Sequence, residues 1–161
     1  MVSIMDEALE LEIGHKVLEV GSGSGWHAAT IAEIVAPSDA SKDKWGHVYT
    51  IERIPELAAL ARENIEKAGY GDRVTVIQHD GTLGYTQEAP YDRILVAAAG
   101  PEVPKPLVEQ LCNRGVLLVP VGGIQFYQRL VRVRKKNGKV LEESLGGVSF
   151  VPLIGKHGFE P

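Results

Sequence analysis

The stretch Val17-Leu-Glu-Val-Gly-Ser-Gly-Ser-Gly-Trp26 decides the fold. Residues 16–20 form a short, largely apolar run with the composition of a buried strand. Three alternating glycines follow. From Trp26 to about Val35 the apolar residues Ala28, Ala29, Ile31, Ala32 and Val35 give a helical pattern. Strand, glycine turn and helix read as a nucleotide-binding βα unit, with a plain tight βα turn as the bland alternative. Gly21, Gly23 and Gly25 permit a tight turn and a close approach of backbone to ligand, and the helix behind them presents free N–H groups. The spacing narrows the ligand. A dinucleotide turn reads G-x-G-x-x-G, with a pyrophosphate on the helix N-terminus. Here the third glycine comes one place early and the bulky Trp26 follows. Gly-x-Gly-x-Gly preceded by the acidic Glu19 suits a ligand without a pyrophosphate, such as S-adenosylmethionine (SAM). A carboxylate there approaches its cationic methionine end directly or through water.

The alternation continues outward. A polar loop over 37–46 leads to a second strand over 47–52. Residues 54–68 read as a helix, with Pro55 in its first turn, Leu57, Leu60, Ala61, Ile65 and Ala68 as its apolar face, and Gly69 as its stop. Further strands are expected over 73–78, 92–98 and 115–121, with a helix over about 104–112. Strands over 127–134 and 139–144 flank Asn137-Gly138, a type I′ hairpin signal, and 148–154 reads as a last strand. Near-continuous apolar strands alternating with helices predict a parallel sheet covered on both faces. The fold class is therefore a three-layer, doubly wound α/β domain. It has a mostly parallel sheet with antiparallel C-terminal strands, formed as one domain over residues 1–161. Its ligands are expected at the carboxyl ends of the strands.

Two more strand ends carry chemistry. Glu52 closes the second strand, where a carboxylate accepts the hydroxyls of a ribose; as a bland alternative it serves the nearby helix N-terminus. Asp80-Gly81 follows the third strand. An Asp there accepts from an adenine amino group and a glycine leaves room for the ring, although Asp-Gly alone is a common turn. The three features in strand order say more than any one of them.

Composition bounds the class. The chain has 161 residues, 44% hydrophobic and 24% charged, ordinary globular values. One cysteine, Cys112, excludes an intramolecular disulfide, and no Cys/His spacing fits a zinc module, so no metal is expected. A net charge of −4 argues against a dedicated nucleic-acid binder. The apolar runs fall far short of the ~18 residues of a membrane helix, and the acidic N-terminus has no basic region of a signal peptide. A cytoplasmic enzyme or binding domain is the default.

With these residues in view, the chain resembles the Rossmann-like SAM-dependent methyltransferases, and among them the protein-L-isoaspartate (D-aspartate) O-methyltransferase family. The resemblance covers nearly the whole chain. It rests on VLEVGSGSGWHAA at 17–29, YTIERIPELAALARENIEKAG at 49–69, APYDRILVAAAGPEVPKPLVEQL at 89–111, LLVPVGG at 117–123 and GGVSFVPLIGKHG at 146–158. It implies methyl transfer from SAM, leaving S-adenosyl-L-homocysteine (SAH), to the free carboxyl of isoaspartyl residues in damaged peptides and proteins. It puts Glu19, Gly21, Ser22, Gly23, Glu52, Arg53, Asp80 and Gly81 at the cofactor. Ala98 and Ala99 fall in the segment lining the transfer site, and Val151 and Pro152 in a segment beside the substrate peptide. The family carries a further N-terminal stretch with the serine usually assigned to the active site, and this chain begins about where that stretch ends. That role is not moved to Ser3, so no catalytic residue is named. Position 97 is Ala where the family often has Thr.

The implied chemistry needs no general base, because an isoaspartyl carboxyl with a pKa near 4 is already ionised at pH 7. Alternatives are a SAM-binding module inactive without the N-terminal stretch, or a methyltransferase for RNA or a small molecule. An NAD-dependent dehydrogenase is disfavoured by the glycine spacing. Ala97 to Ala99 either let two ligands meet or simply pack tightly. Trp26 either caps the cofactor or packs its helix. Cys112 is expected as a buried thiol on a helix face, and the basic run from Arg129 to Lys139 as a solvated hairpin. His27 and His79 lie near the expected cofactor site without a metal reading, and His79 either packs near the adenine or fills a polar strand end.

Overall fold

The computed structural model describes residues 1–124 and 127–161. β1 (Lys16–Val20) lies between β2 (His47–Glu52) and β4 (Tyr91–Val96), parallel to both. β3 (Val74–Gln78) extends the parallel sheet beyond β2, and β5 (Leu111–Gly122) beyond β4. β6 (Gln128–Lys136) and β7 (Lys139–Val148) add antiparallel strands. Among the described residues the sheet has seven strands in the order β3-β2-β1-β4-β5-β6-β7. This is the expected architecture. Strand order reverses between β1 and β4, so the connections after those strands diverge and open a crevice at the carboxyl end of the sheet.

Side chains alternate across each strand and so feed two cores. Val17, Val48, Val74, Leu95 and Leu118 pack on one face with Met5 and Leu9 of α1 (Val2–Leu9) and with Ala28, Ile31, Ala32 and Val35 of α2 (Trp26–Val35). α3 (Pro55–Lys67) joins this layer through Ile65. Leu18, Ile51, Ile94, Leu117 and Val119 pack on the other face with Leu107 of α4 (Lys105–Glu109) and with Leu153. The β6–β7 turn follows its signal: Asn137 and Gly138 have φ of 51° and 75°, the positive pair a type I′ turn requires.

Several elements depart from expectation, each for a tertiary reason. α1 was not foreseen. Its end is held by a distant side chain: Arg93 Nε donates to Leu9 O at 2.5 Å and Arg93 Nη2 to Glu10 O at 3.1 Å, filling carbonyls a helix end leaves open. Arg132 Nη1 donates to Ala8 O (3.3 Å) and Arg134 Nη1 to Glu10 Oε2 (3.1 Å), so part of the basic run anchors α1 rather than standing free in solvent. α4 stops at Glu109, because Leu111 and Cys112 are drawn into β5. Cys112 is therefore half-buried on a strand, its thiol 3.2 Å from Asn113 O. α3 buries Ala58, Ala61 and Ile65, while Leu60 is 43% exposed. The chain after Val148 forms no continuous strand. It makes isolated bridges, Pro152 to Ala99 and Ile154 to Phe159.

Candidate active site

The crevice holds a cleft of about 450 Å³. It is lined by Val20, Gly21 and Gly23 of the turn after β1, by Ile51, Glu52, Arg53, Ile54 and Leu57 around the start of α3, and by Gly81. Ala97 and Ala98 after β4 and residues 151–154 complete it. Of the residues chosen from sequence, Gly21, Gly23, Glu52, Arg53, Gly81, Ala98, Val151 and Pro152 line this cleft. Glu19, Ser22, Asp80 and Ala99 are not part of its lining.

The glycine turn is pinned from two sides. Gly21 N–H donates to Ile51 O at 2.8 Å, and Gly23 N–H donates to Glu52 Oε2 at 3.3 Å. Glu52 Oε1 accepts from Ile54 N–H at 3.1 Å, at the start of α3. Gly23 has a φ of 50°, and a Cβ there would meet nothing within 4 Å, so its free face is open. Gly81 is different: a Cβ would stand 2.3 Å from Val20 Cγ1. Its lack of a side chain lets the turn after β3 press onto β1.

Asp80 is engaged by its own chain. Oδ1 accepts from Thr82 N–H (2.9 Å) and Thr82 Oγ1 (2.7 Å), and Oδ2 from Lys156 N–H (2.9 Å). Burial alone would raise its pKa, but these bonds outweigh it and hold the carboxyl below its ordinary value. Asp80 thus ties the C-terminal segment to the turn after β3. Ala99 ties the same segment to β4, its N–H donating to Val151 O and its carbonyl accepting from Leu153 N–H, both at 2.8 Å. Gln128 clamps Phe150 through both amide atoms, at 2.7 and 3.1 Å. Ala98 and Ala99 are buried, while Val151 is 69% exposed at the rim.

Beneath the glycine turn lies a polar cluster that sequence reading did not assemble. Glu19 is fully buried, on the face of β1 that meets α1 and α2. Its Oε2 accepts from Thr50 Oγ1 at 2.5 Å, and among the described residues its Oε1 has no hydrogen-bond partner. His27 Nδ1 stands 3.8 Å from that Oε1, and His27 Nε2 lies 2.7 Å from Asp6 Oδ1 on α1. Burial pushes the Glu19 carboxyl up to about 7, against the opposing pull of His27 and Thr50. Burial alone would lower the His27 pKa, but the Asp6 hydrogen bond and the facing Glu19 raise it overall. Ser22 Oγ, also buried, has no partner either.

Sequence reading also missed the apolar lining, Ile51, Ile54, Leu57 and Ile154. Aliphatic residues beside strand ends look like core, and only the topology opens a cleft among them. Trp26 neither packs its helix nor reaches this cleft: it is 72% exposed beside a second groove of about 500 Å³ between α2 and α3. That groove is larger but carries none of the strand-end carboxylates. Among the described residues no three His, Cys, Asp or Glu side chains are grouped to hold a metal ion, and no helix is long and apolar enough to cross a membrane.

The cleft joins an apolar wall, a carboxylate at the end of β2 and the glycine turn before α2. The fold recurs in solved structures. A protein-L-isoaspartate O-methyltransferase superposes with a TM-score of 0.86 at 27% identity, over 98% of this chain and 47% of that one. One described as a protein-L-isoaspartate O-methyltransferase from Plasmodium falciparum, in complex with SAH, gives a TM-score of 0.80 at 26% identity, over 95% of this chain and 71% of that one. The fold is that of the Rossmann-like SAM-dependent methyltransferases. Sequence narrows it further. The family model "Protein-L-isoaspartate(D-aspartate) O-methyltransferase" matches residues 1–158. The protein-L-isoaspartate O-methyltransferase of Hyperthermus butylicus is 53% identical over 99% of this chain, which spans 66% of that relative's length. The chain belongs to the protein-L-isoaspartate (D-aspartate) O-methyltransferase family.

Proposed function

We propose that this chain acts as one methyltransferase unit that moves a methyl group from SAM to the free carboxyl of L-isoaspartyl and D-aspartyl residues in damaged proteins, a repair reaction of the cytoplasm. Its partners are damaged peptides and proteins, with no metal, nucleic acid or membrane. The observation that carries the reading is the Glu52 carboxylate hydrogen-bonded to Gly23 N–H at the cleft, in a chain whose relatives bear the name of that activity.

The residues fit the cofactor. Glu19 Oε1 and Ser22 Oγ are buried without partners beside the glycine turn, so polar capacity remains there for a ligand. In this reading Gly21, Ser22, Gly23 and Glu19 serve the methionine end, and Glu52 with Arg53 the ribose. Asp80 and Gly81 stand at the adenine with the apolar wall of Ile51, Ile54 and Leu57. Ala98 and Ala99 leave space at the transfer point, and Val151 and Pro152 receive the peptide. When bound, SAM supplies a methyl group on a sulfonium. The protein's share is alignment, which supplies much of the acceleration in a reaction of two pre-ionised partners. The aliphatic lining keeps water from the carboxylate.

The test is incubation with methyl-labelled SAM and an aged, isoaspartate-rich protein. Label released by mild base, as from a carboxyl ester, is expected. Base-stable label, or SAH binding with no transfer, would overturn the reading.

A further inference from the structure

Three ionisable side chains from three elements meet beneath the glycine turn: Asp6 of α1, His27 of α2 and Glu19 of β1. The imidazole bridges the two carboxylates, 2.7 Å from Asp6 and 3.8 Å from Glu19. All three are largely or wholly buried, with side chains 9%, 12% and 1% exposed. Taking the proposed function as given, we propose that Asp6 and His27 are positioning residues for cofactor binding: Asp6 holds an imidazolium at His27, and that cation keeps Glu19 a carboxylate beneath the glycine turn.

Glu19 needs such help. Among the described residues only the Thr50 hydroxyl hydrogen-bonds it, and an isolated carboxylate in so dry a place takes up a proton rather than stay charged. Its other charged neighbours, Asp6 and Glu52, are both acidic and push the same way. Among the described residues His27 is the charged group facing it that opposes this, together with the Thr50 hydroxyl. The groups facing His27 are Asp6 and Glu19, which favour its charge, and the amino terminus of Met1, which opposes it. A protonated Glu19 has no charge to attract a cationic amino-acid moiety. The state of His27 therefore sets the pH range in which the turn binds its ligand. α1 is fixed independently, by Arg93, Arg132 and Arg134 at its far end. The Asp6 contact is thus not the only thing docking the helix.

The experiment pairs two readouts on the unaltered chain, His27→Gln and Asp6→Asn. The first is the titration of the Glu19 carboxyl carbon by NMR in the ligand-free protein, assigned with Glu19→Gln. The second is SAH affinity by calorimetry at pH 6.5 and 8.5. Removing the cation is expected to raise the Glu19 titration by about one pH unit. By linkage, from a starting value near 7, affinity then falls about eightfold at pH 6.5 and less than about 1.5-fold at pH 8.5. Asp6→Asn, which preserves side-chain shape, is expected to change both readouts in the same direction and to lower the His27 titration. An unmoved Glu19 titration, or an affinity loss equal at both pH values, would overturn the proposal and leave Asp6 and His27 as mere packing for α1. An unaltered chain that bound no SAH would overturn the proposed function instead, while the Glu19 titration would still decide the relay.

Discussion

One carboxylate, that of Glu52, spans the gap between Gly23 N–H at 3.3 Å and Ile54 N–H at 3.1 Å, so the glycine turn and the start of α3 share a single anchor. The residue is 7% exposed and lines the cleft. Glu52→Gln keeps the size and one acceptor but removes the charge. Charge-assisted bonds contribute about 1.5–3 kcal/mol, so SAH affinity is expected to drop by roughly 10- to 100-fold, and the melting temperature by a few degrees because one of the two N–H groups loses its acceptor. Calorimetry beside a thermal scan checks this, and equal affinity in the two proteins would contradict it.

Gly23 and Gly81 separate binding from folding. At Gly81 an added methyl collides with Val20 Cγ1 at 2.3 Å, and overpacking of this kind costs about 1–3 kcal/mol. Gly81→Ala should therefore lower the melting temperature by several degrees. At Gly23 the added methyl meets no protein atom, and the left-handed backbone alone costs about 1–2 kcal/mol. Gly23→Ala should lose more in SAH affinity than in stability, and the opposite ranking would argue that the cleft lies elsewhere.

Glu19 is expected to trade stability for binding. Its folded pKa, about 7, lies above the ordinary carboxylate value of 4.5. Between those values the folded protein holds more protons than the unfolded chain, so this group's contribution worsens as pH rises from 4.5 through 7. At pH 8 the full cost is present, of the order of 3 kcal/mol, and at pH 4 it is absent. Glu19→Gln should therefore raise the ligand-free melting temperature at pH 8 and not at pH 4, while weakening SAH binding at pH 8. A melting temperature lowered at pH 8 would show that the buried carboxylate stabilises the fold.

Asp80 behaves in the opposite sense. Its folded pKa is held below the ordinary value by Lys156 and Thr82, so its contribution is present above about pH 4 and lost as pH falls through the folded pKa. Asp80→Asn gives up one anionic acceptor for Lys156 N–H. It is expected to cost about 1–2 kcal/mol at pH 7 and to raise the peptide KM, because the segment carrying Val151 and Pro152 loses a tether. A variant unchanged in both would remove Asp80 from this role.

Legibility in the sequence followed the range of the interactions. β1, α2 and β2 end where the sequence predicts, because apolar period, glycine and loop polarity are local signals. α1 was invisible, because what fixes its end is Arg93, far along the chain on β4. The α4–β5 boundary was misread because Leu111 satisfies a helix pattern and a strand pattern equally, and pairing with β4 at Tyr91 decides for the strand. At the candidate site, where Asp80 turns its carboxylate to Thr82 and Lys156, the glycine turn, Glu52 and Gly81 that line the cleft were legible because strand ends are marked by residue type. The Asp6–His27–Glu19 cluster was not, since three common residues on three elements carry no spacing signal until α1 is docked.

The central claim is selective carboxyl methylation, and the most direct measurement is transfer from methyl-labelled SAM to a synthetic isoaspartyl peptide beside the same peptide with normal aspartate. Base-labile label on the isoaspartyl peptide, and none above background on its partner, is the predicted result. Equal labelling of the two peptides, or SAH binding without labelling of either, would contradict the account.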